Sequence, residues 1–392
     1  MNYYLAMVFA LFVPAVVYAA GPRIECDEGM LEIARNRIAT QLEPFSSYWR
    51  NTAGERTAAL ALKPRPYVGG DSLSFHVMAR DQGTAARLLA YEWQLDGAEG
   101  SGTHAIELLV QWASASPMPG TRLDPHVRFP NSGMDVSRGM LPFVVAYDLM
   151  REHPGMLEEK RRLIEAWFRE LVEVVKEGMR RWEANGDFGG QQFQNHHAAH
   201  VLGLVILAAV LQDEELIRFA TESPENPKDF KELIAGLILM PDDEPLGGLR
   251  GKPLHAGEIQ DRCRTSEGAG LTYCHLSMTM MLYTADVLTR VTGDEWLNYE
   301  APGGECLRLS AAFYSDFFRL RNAGINGGYY VRDHRAVQNN TPYLGVFEVA
   351  LCHWPDVPNL KAAVRSMDRA QTPRSWLSYY GLPLLTHGVD LP

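Results

Sequence analysis

Three segments of this chain concentrate side chains able to move protons or hold an anion. The first is Gln194-Asn195-His196-His197-Ala198-Ala199-His200, where the polar joint 185–194 runs into an apolar helix. A helix N-terminus presents unpaired N–H groups and the positive end of its dipole, which suits an anionic ligand. Asn195 offers an amide donor, and His196 works as donor, acid or base near neutral pH. A purely structural role also fits, with Asn195 as the cap and the histidines in the core. His196 and His200 stand four residues apart and could share a metal. The zincin pattern, however, wants Glu where His197 stands.

The second segment is Glu258–His275, a charged, glycine-containing loop that feeds a long apolar helix. Tyr273 falls in the first turns of that helix, where nearby cations lower a phenol's pKa. Arg262 and Arg264 could supply them. Alternatively Tyr273 is a core aromatic, and the arginines pair with Asp261 and Glu267. The third segment, Pro130–Met140, holds Asn131 and Arg138. Arg138 could clamp a carboxylate through two hydrogen bonds, or tie loops together through Asp135 or Asp148.

The elements that must position these groups are helices. Apolar residues recur at three- and four-residue spacing over Gly29–Leu42, Asp81–Leu95, Thr103–Ala115, Ser137–Arg151 and Met156–Glu183. The same spacing recurs over Asn195–Gln212, Lys228–Leu239, Leu271–Thr292 and Gly304–Leu320, and more weakly over Val346–Cys352 and Leu360–Met367. Residues 200–211 and 271–287 are apolar nearly all round, as covered inner helices are, whereas 156–183 is charged on one face like an outer helix. Inner and outer helices joined by short loops predict an α/α toroid or a superhelical stack. Residues Gly328–Arg332 read as a short strand.

The chain has 392 residues, 46% hydrophobic and 22% charged, enough for a large core. Its net charge of -11 argues against a general nucleic-acid binder but leaves room for a local basic cleft. Residues 1–20, an apolar run closing on Tyr18-Ala19-Ala20, read as a signal peptide, too short for a membrane span. That predicts a secreted or periplasmic protein made of one domain, 21–392. The five cysteines match no zinc or redox spacing, and buried free thiols are expected.

The order of these features resembles the alginate lyase superfamily. Gly133–Met150, ending Leu141-Pro142-Phe143-Val144-Val145-Ala146-Tyr147-Asp148, is similar to the family's inner helix before the cleft. Gln194-Asn195-His196 is similar to its Asn-Asn-His motif, with Gln in the first place. Arg264 through Tyr273, followed by the helix and Gly293–Glu300, is similar to its Arg…Tyr catalytic helix and the segment after it. The likeness covers residues 50 to 320 in round terms.

This resemblance implies an all-α fold, an incomplete α/α toroid in a single domain. It also implies cleavage of an acidic 1,4-linked uronate polysaccharide by β-elimination, without cofactor, metal, nucleic acid or membrane. Tyr273, His196, Asn195 and Arg264 would be catalytic. Arg138, Asn131, Gln194, His197, Arg262, Glu267 and Tyr67 would bind substrate, and Trp49, Tyr67, Trp112 and Trp182 are the rings available to stack on sugars. Two other readings stay open: a toroidal glycoside hydrolase using Asp135 and Glu267, or a non-catalytic polyuronide-binding protein.

Overall fold

The computed structural model describes residues 21–117, 131–184, 192–244, 253–261, 268–338, 341–371 and 379–391. The chain begins with α1 (Glu28–Ala39), α2 (Phe45–Asn51), α3 (Ala53–Leu60), α4 (Ser72–Asp96) and α5 (Glu99–Ala115). Next come α6 (Ser132–Met150), α7 (Glu158–Ala184), α8 (Asn195–Leu211), α9 (Glu214–Thr221) and α10 (Phe230–Leu237). Two short antiparallel strands follow, β1 (Ile238–Leu239) and β2 (Glu258–Ile259), with Ile238 opposite Ile259. The remainder is α11 (Gly270–Thr292), α12 (Leu307–Arg319), α13 (His334–Gln338), α14 (Thr341–His353), α15 (Pro358–Arg365) and α16 (Pro383–His387).

Hydrophobic patterning sorts these helices into two layers. α8 is buried from Asn195 to Val210 on every face, because its sequence is apolar all round. α7 buries one stripe, from Ile164, Trp167, Phe168 and Leu171 through Val175 to Met179 and Trp182, and carries its Arg and Glu residues on the other side. The inner helices pack in succession, α4 on α6, α6 on α8, α8 on α11 and α11 on α14, while α5, α7, α12 and α15 lie outside them. α14 then meets α16, α16 meets α1, and α1 meets α4, which carries the ring past its gap. The fold is an all-α toroid of inner and outer helices.

The inner helices run parallel. Gly83 and Phe143 meet near the middles of α4 and α6, and Gly203 of α8 lies against Ser137 of α6. His275 near the start of α11 bonds the Tyr343 carbonyl near the start of α14, while Asp286 and His353 meet near their ends. All inner N-termini therefore share one end of the ring. The other end is closed by the segment 21–27. Asp148 on α6 accepts from the Arg23 and Ile24 amides at 2.6 and 2.8 Å. Glu25 accepts from Arg87 and Tyr91 of α4 and from Tyr283 of α11 at 2.8, 2.8 and 3.1 Å.

The structure departs from the sequence expectation in several places. α4 starts at Ser72 rather than Asp81, because Asp71 caps it by accepting from the Ser74 amide. Residues 328–332 form no strand. They lie among 3-10 turns, since Gly327 and Gly328 take φ of 87° and 73°, which extended backbone excludes. The short helices α2, α3, α9, α13 and α16 and the strand pair were not foreseen. Cys26 and Cys274 are buried free thiols, and Cys306 and Cys352 are half-buried and free. Cys263 and residues 1–20 fall outside the described residues. Among the described residues, no helix is long and apolar enough to cross a membrane.

Candidate active site

The open end of the ring gathers the first turns of α4, α6, α8, α11 and α14. Gln194 is the cap of α8, and its amide donates to His197 Nδ1 at 3.2 Å. Because Nδ1 accepts, His197 Nε2 carries the hydrogen and faces Glu183 Oε2 at 3.3 Å. The bond to His197 holds the Glu183 carboxyl below its usual range, while burial keeps His197 largely neutral. Gln194 and His197, expected to bind substrate, are thus buried and engaged in shaping the helix start. Asn195 is not the cap but the first helical residue.

Asp261 fixes Asn195. Its buried carboxylate accepts from the Asn195 backbone amide at 2.9 Å and from Nδ2 at 3.4 Å. The same carboxylate accepts from Ser277 Oγ on α11, one turn beyond Tyr273. One anion therefore ties the start of α8 to the segment of α11 that carries Tyr273, which is itself partly exposed. Asp333 reinforces this end of α11 by accepting from the Thr272 amide at 2.7 Å. His196 is buried and lies flat on Trp182, ring centres 3.7 Å apart and planes within 7°.

Arg138 of α6 faces the same end. Its charge acts on His76, Asp135 and Tyr379. Burial, helped by Arg138, lowers His76 to about 3, so that imidazole stays neutral. Burial also raises Asp135, whose Oδ2 accepts from Ser72 at 2.6 Å. Burial, with His197 adding to it, takes His200 to about 3, and burial takes His275 to about 4 against the opposing bond to the Tyr343 carbonyl. This end of the ring thus carries a guanidinium, an amide and a phenol, with neutral imidazoles buried beneath them.

The other expected groups fare unevenly. Asn131 precedes α6 at its exposed N-terminal end. Tyr67 is buried edge-on against Phe75, and Trp112 is wholly buried against Phe143 and Trp167, so neither ring is presented to a sugar. Trp49 is covered by Arg56 and donates to Asp96. His200 packs against Gly133. Arg262, Arg264 and Glu267 lie outside the described residues. Asp261, Asp333 and Tyr379 were not expected as organising groups, and only the polar character of Glu258–His275 hinted at the first.

Comparison with known proteins bears directly on this constellation. The alginate lyase family model matches residues 48–232, a span that includes α4 to α8 with Asn195 and His196. Over that span the chain is similar to the alginate lyase family. An alginate lyase from Bacteroides ovatus superposes with a TM-score of 0.64 at 13% identity, over 95% of this chain and 100% of that one. Alginate lyase A1-III from Sphingomonas species A1 gives 0.58 at 12% identity, over 95% and 98%. A tyrosine-to-phenylalanine variant of alginate lyase A1-III complexed with tetrasaccharide gives 0.59 at 14%, over 96% and 99%. A histidine-to-alanine variant with the same ligand gives 0.60 at 13%, over 96% and 98%. None of the curated proteins matches the sequence. The family match and the shared fold support a polysaccharide lyase by class.

Proposed function

We propose that the protein cleaves a 1,4-linked uronate polymer, mannuronan-type alginate or glucuronan, by β-elimination outside the cytoplasm. The observation that carries this reading is the Asp261 bridge, which holds Asn195 and the Tyr273 turn of α11 at one end of the ring. In alginate lyase A1-III, the variants complexed with tetrasaccharide replace a histidine and a tyrosine, the residue types of His196 and Tyr273.

The chemistry suits these groups. Removing the uronate C5 proton is hard because the adjacent carboxylate is negative and the developing enolate adds charge. Donors from Asn195, His196 and an arginine neutralise that group and stabilise the intermediate. Arg138 on α6 is one such arginine, and Arg264 or Arg262 is the one that the family resemblance assigns. The Tyr273 oxygen takes the C5 proton. The C5–H electron pair becomes the C4–C5 double bond, the C4–O4 bond breaks, and the proton passes to O4. In mannuronate and glucuronate that proton and O4 lie on one side of the ring, within reach of a single phenol. Guluronate sets them on opposite sides and would need His196 as a separate base.

Export through a leader at 1–20 agrees with the burial of 22–26, because cleavage after Ala20 would leave the closing segment intact. The activity is tested by offering polymannuronate, polyguluronate and glucuronan separately to the protein. A lyase releases an ultraviolet-absorbing unsaturated end. New reducing ends without that absorbance would instead favour hydrolysis through Asp135 and Glu267.

A further inference from the structure

The closed end of the ring holds a second cluster, remote from Asn195 and Tyr273. We propose that Asp286 on α11, His353 at the end of α14 and His387 at the end of α16 form a structural zinc site. One ligand atom from each lies within 4.8 Å of the others. His353 Nε2 is 3.2 Å from Asp286 Oδ1, and His387 Nε2 is 3.2 Å from Oδ2. Neighbouring ligands of a tetrahedral ion with bonds of about 2.0–2.2 Å stand about 3.3–3.5 Å apart. Each imidazole already stands at about that spacing from one carboxylate oxygen.

His387 supplies an independent observation. Its Nε2 is fully buried and makes no directed hydrogen bond among the described residues. Its Nδ1 lies 2.8 Å from Thr386 Oγ1, and that hydroxyl reaches the Leu382 carbonyl at 3.2 Å. When Thr386 donates to Leu382, Nδ1–H donates to Thr386. Nε2 then carries a bare lone pair opposite a carboxylate oxygen. Two acceptors at 3.2 Å repel each other, and a cation held by both removes the conflict.

The surroundings resemble the outer shell of a metal site. Arg290 holds both Asp286 oxygens, Nη2 to Oδ2 at 2.7 Å, and the Tyr380 hydroxyl donates to Oδ2 at 3.3 Å. Such contacts orient ligating carboxylates, as the Thr386 bond orients an imidazole. Two imidazoles with one carboxylate suit zinc, whereas magnesium and calcium want oxygen ligands throughout. Zinc here clamps the C-terminal segment to α11 and α14, next to the segment 21–27, and touches no catalytic group.

The test uses untagged protein purified without chelators. Elemental mass spectrometry is expected to find one zinc per chain after desalting, and His387→Gln is expected to lose it. Stripping with a strong chelator should lower the Tm by several degrees, and zinc should restore it. Cobalt added to the stripped wild type should give the intense visible bands of a tetrahedral ion, which decides the matter even if the variant fails to fold. Substoichiometric zinc, with no Tm response to zinc and no cobalt bands, would overturn the proposal and leave a proton on His387 as the bridge. Neither result depends on polysaccharide cleavage.

Discussion

His76, His200 and His275 are imidazoles that burial keeps uncharged, at about 3, 3 and 4. Each folded-state value lies below the 6.5 of an unfolded histidine, so the unfolded chain binds more protons between those limits. Their stabilising effect is complete above pH 6.5 and is lost as the pH falls towards 3–4. Within that window each site changes stability by up to about 1.4 kcal/mol per pH unit. His200→Leu should be neutral or slightly stabilising at pH 7, because both its ring nitrogens lack partners among the described residues. Denaturant titrations from pH 7 to 4 should show a shallower acid loss than wild type, and an unchanged slope would contradict the assignment. At this scale the sequence was informative where a residue's chemistry is local. Asn195 and His196 stood out because they open an apolar helix. The roles of Gln194 and His197 did not, since they depend on which ring nitrogen accepts.

α6 and α8 touch at Ser137 and Gly203, where a Cβ on Gly203 would lie 2.1 Å from Ser137 Oγ. Gly203→Ala must therefore push the inner helices apart. We expect it to cost about 1–3 kcal/mol, read as a drop in the denaturation midpoint. Asp261 joins α8 to α11, so Asp261→Ala leaves the Asn195 amides and the Ser277 hydroxyl without their acceptor. The expected result is a loss of about 3–5 kcal/mol of stability, with kcat falling more than KM rises as Asn195 loses its orientation. Unchanged kinetics in the folded variant would exclude that positioning role. Helices with a continuous apolar face, such as α7, α8 and α11, were legible from spacing alone. The Asn195–Asp261 contact was not, because it joins residues 66 apart in the chain. The start of α4 was hidden because Ser72–Arg80 is held by its cap and by α6 rather than by its own pattern.

The whole molecule is a ring with one open and one closed end, and the closure rests on a buried charge. Arg87 and Glu25 are almost wholly buried against each other, and Gly381 from the C-terminal segment also donates to Glu25. Glu25→Ala removes the carboxylate paired with that guanidinium and should destabilise the fold by about 3–5 kcal/mol while leaving the distant open end chemically intact. A stable variant that had lost activity would contradict that separation. Parallel inner helices follow from the in–out alternation readable in the sequence, whereas the closing segment follows from contacts that no local pattern reveals. The central claim, that the open end performs β-elimination with Tyr273 as proton carrier, is tested most directly by Tyr273→Phe. With the variant's helical circular dichroism unchanged, release of the ultraviolet-absorbing product should fall by about 10²–10⁴-fold or more. Wild-type turnover by that variant would contradict the account.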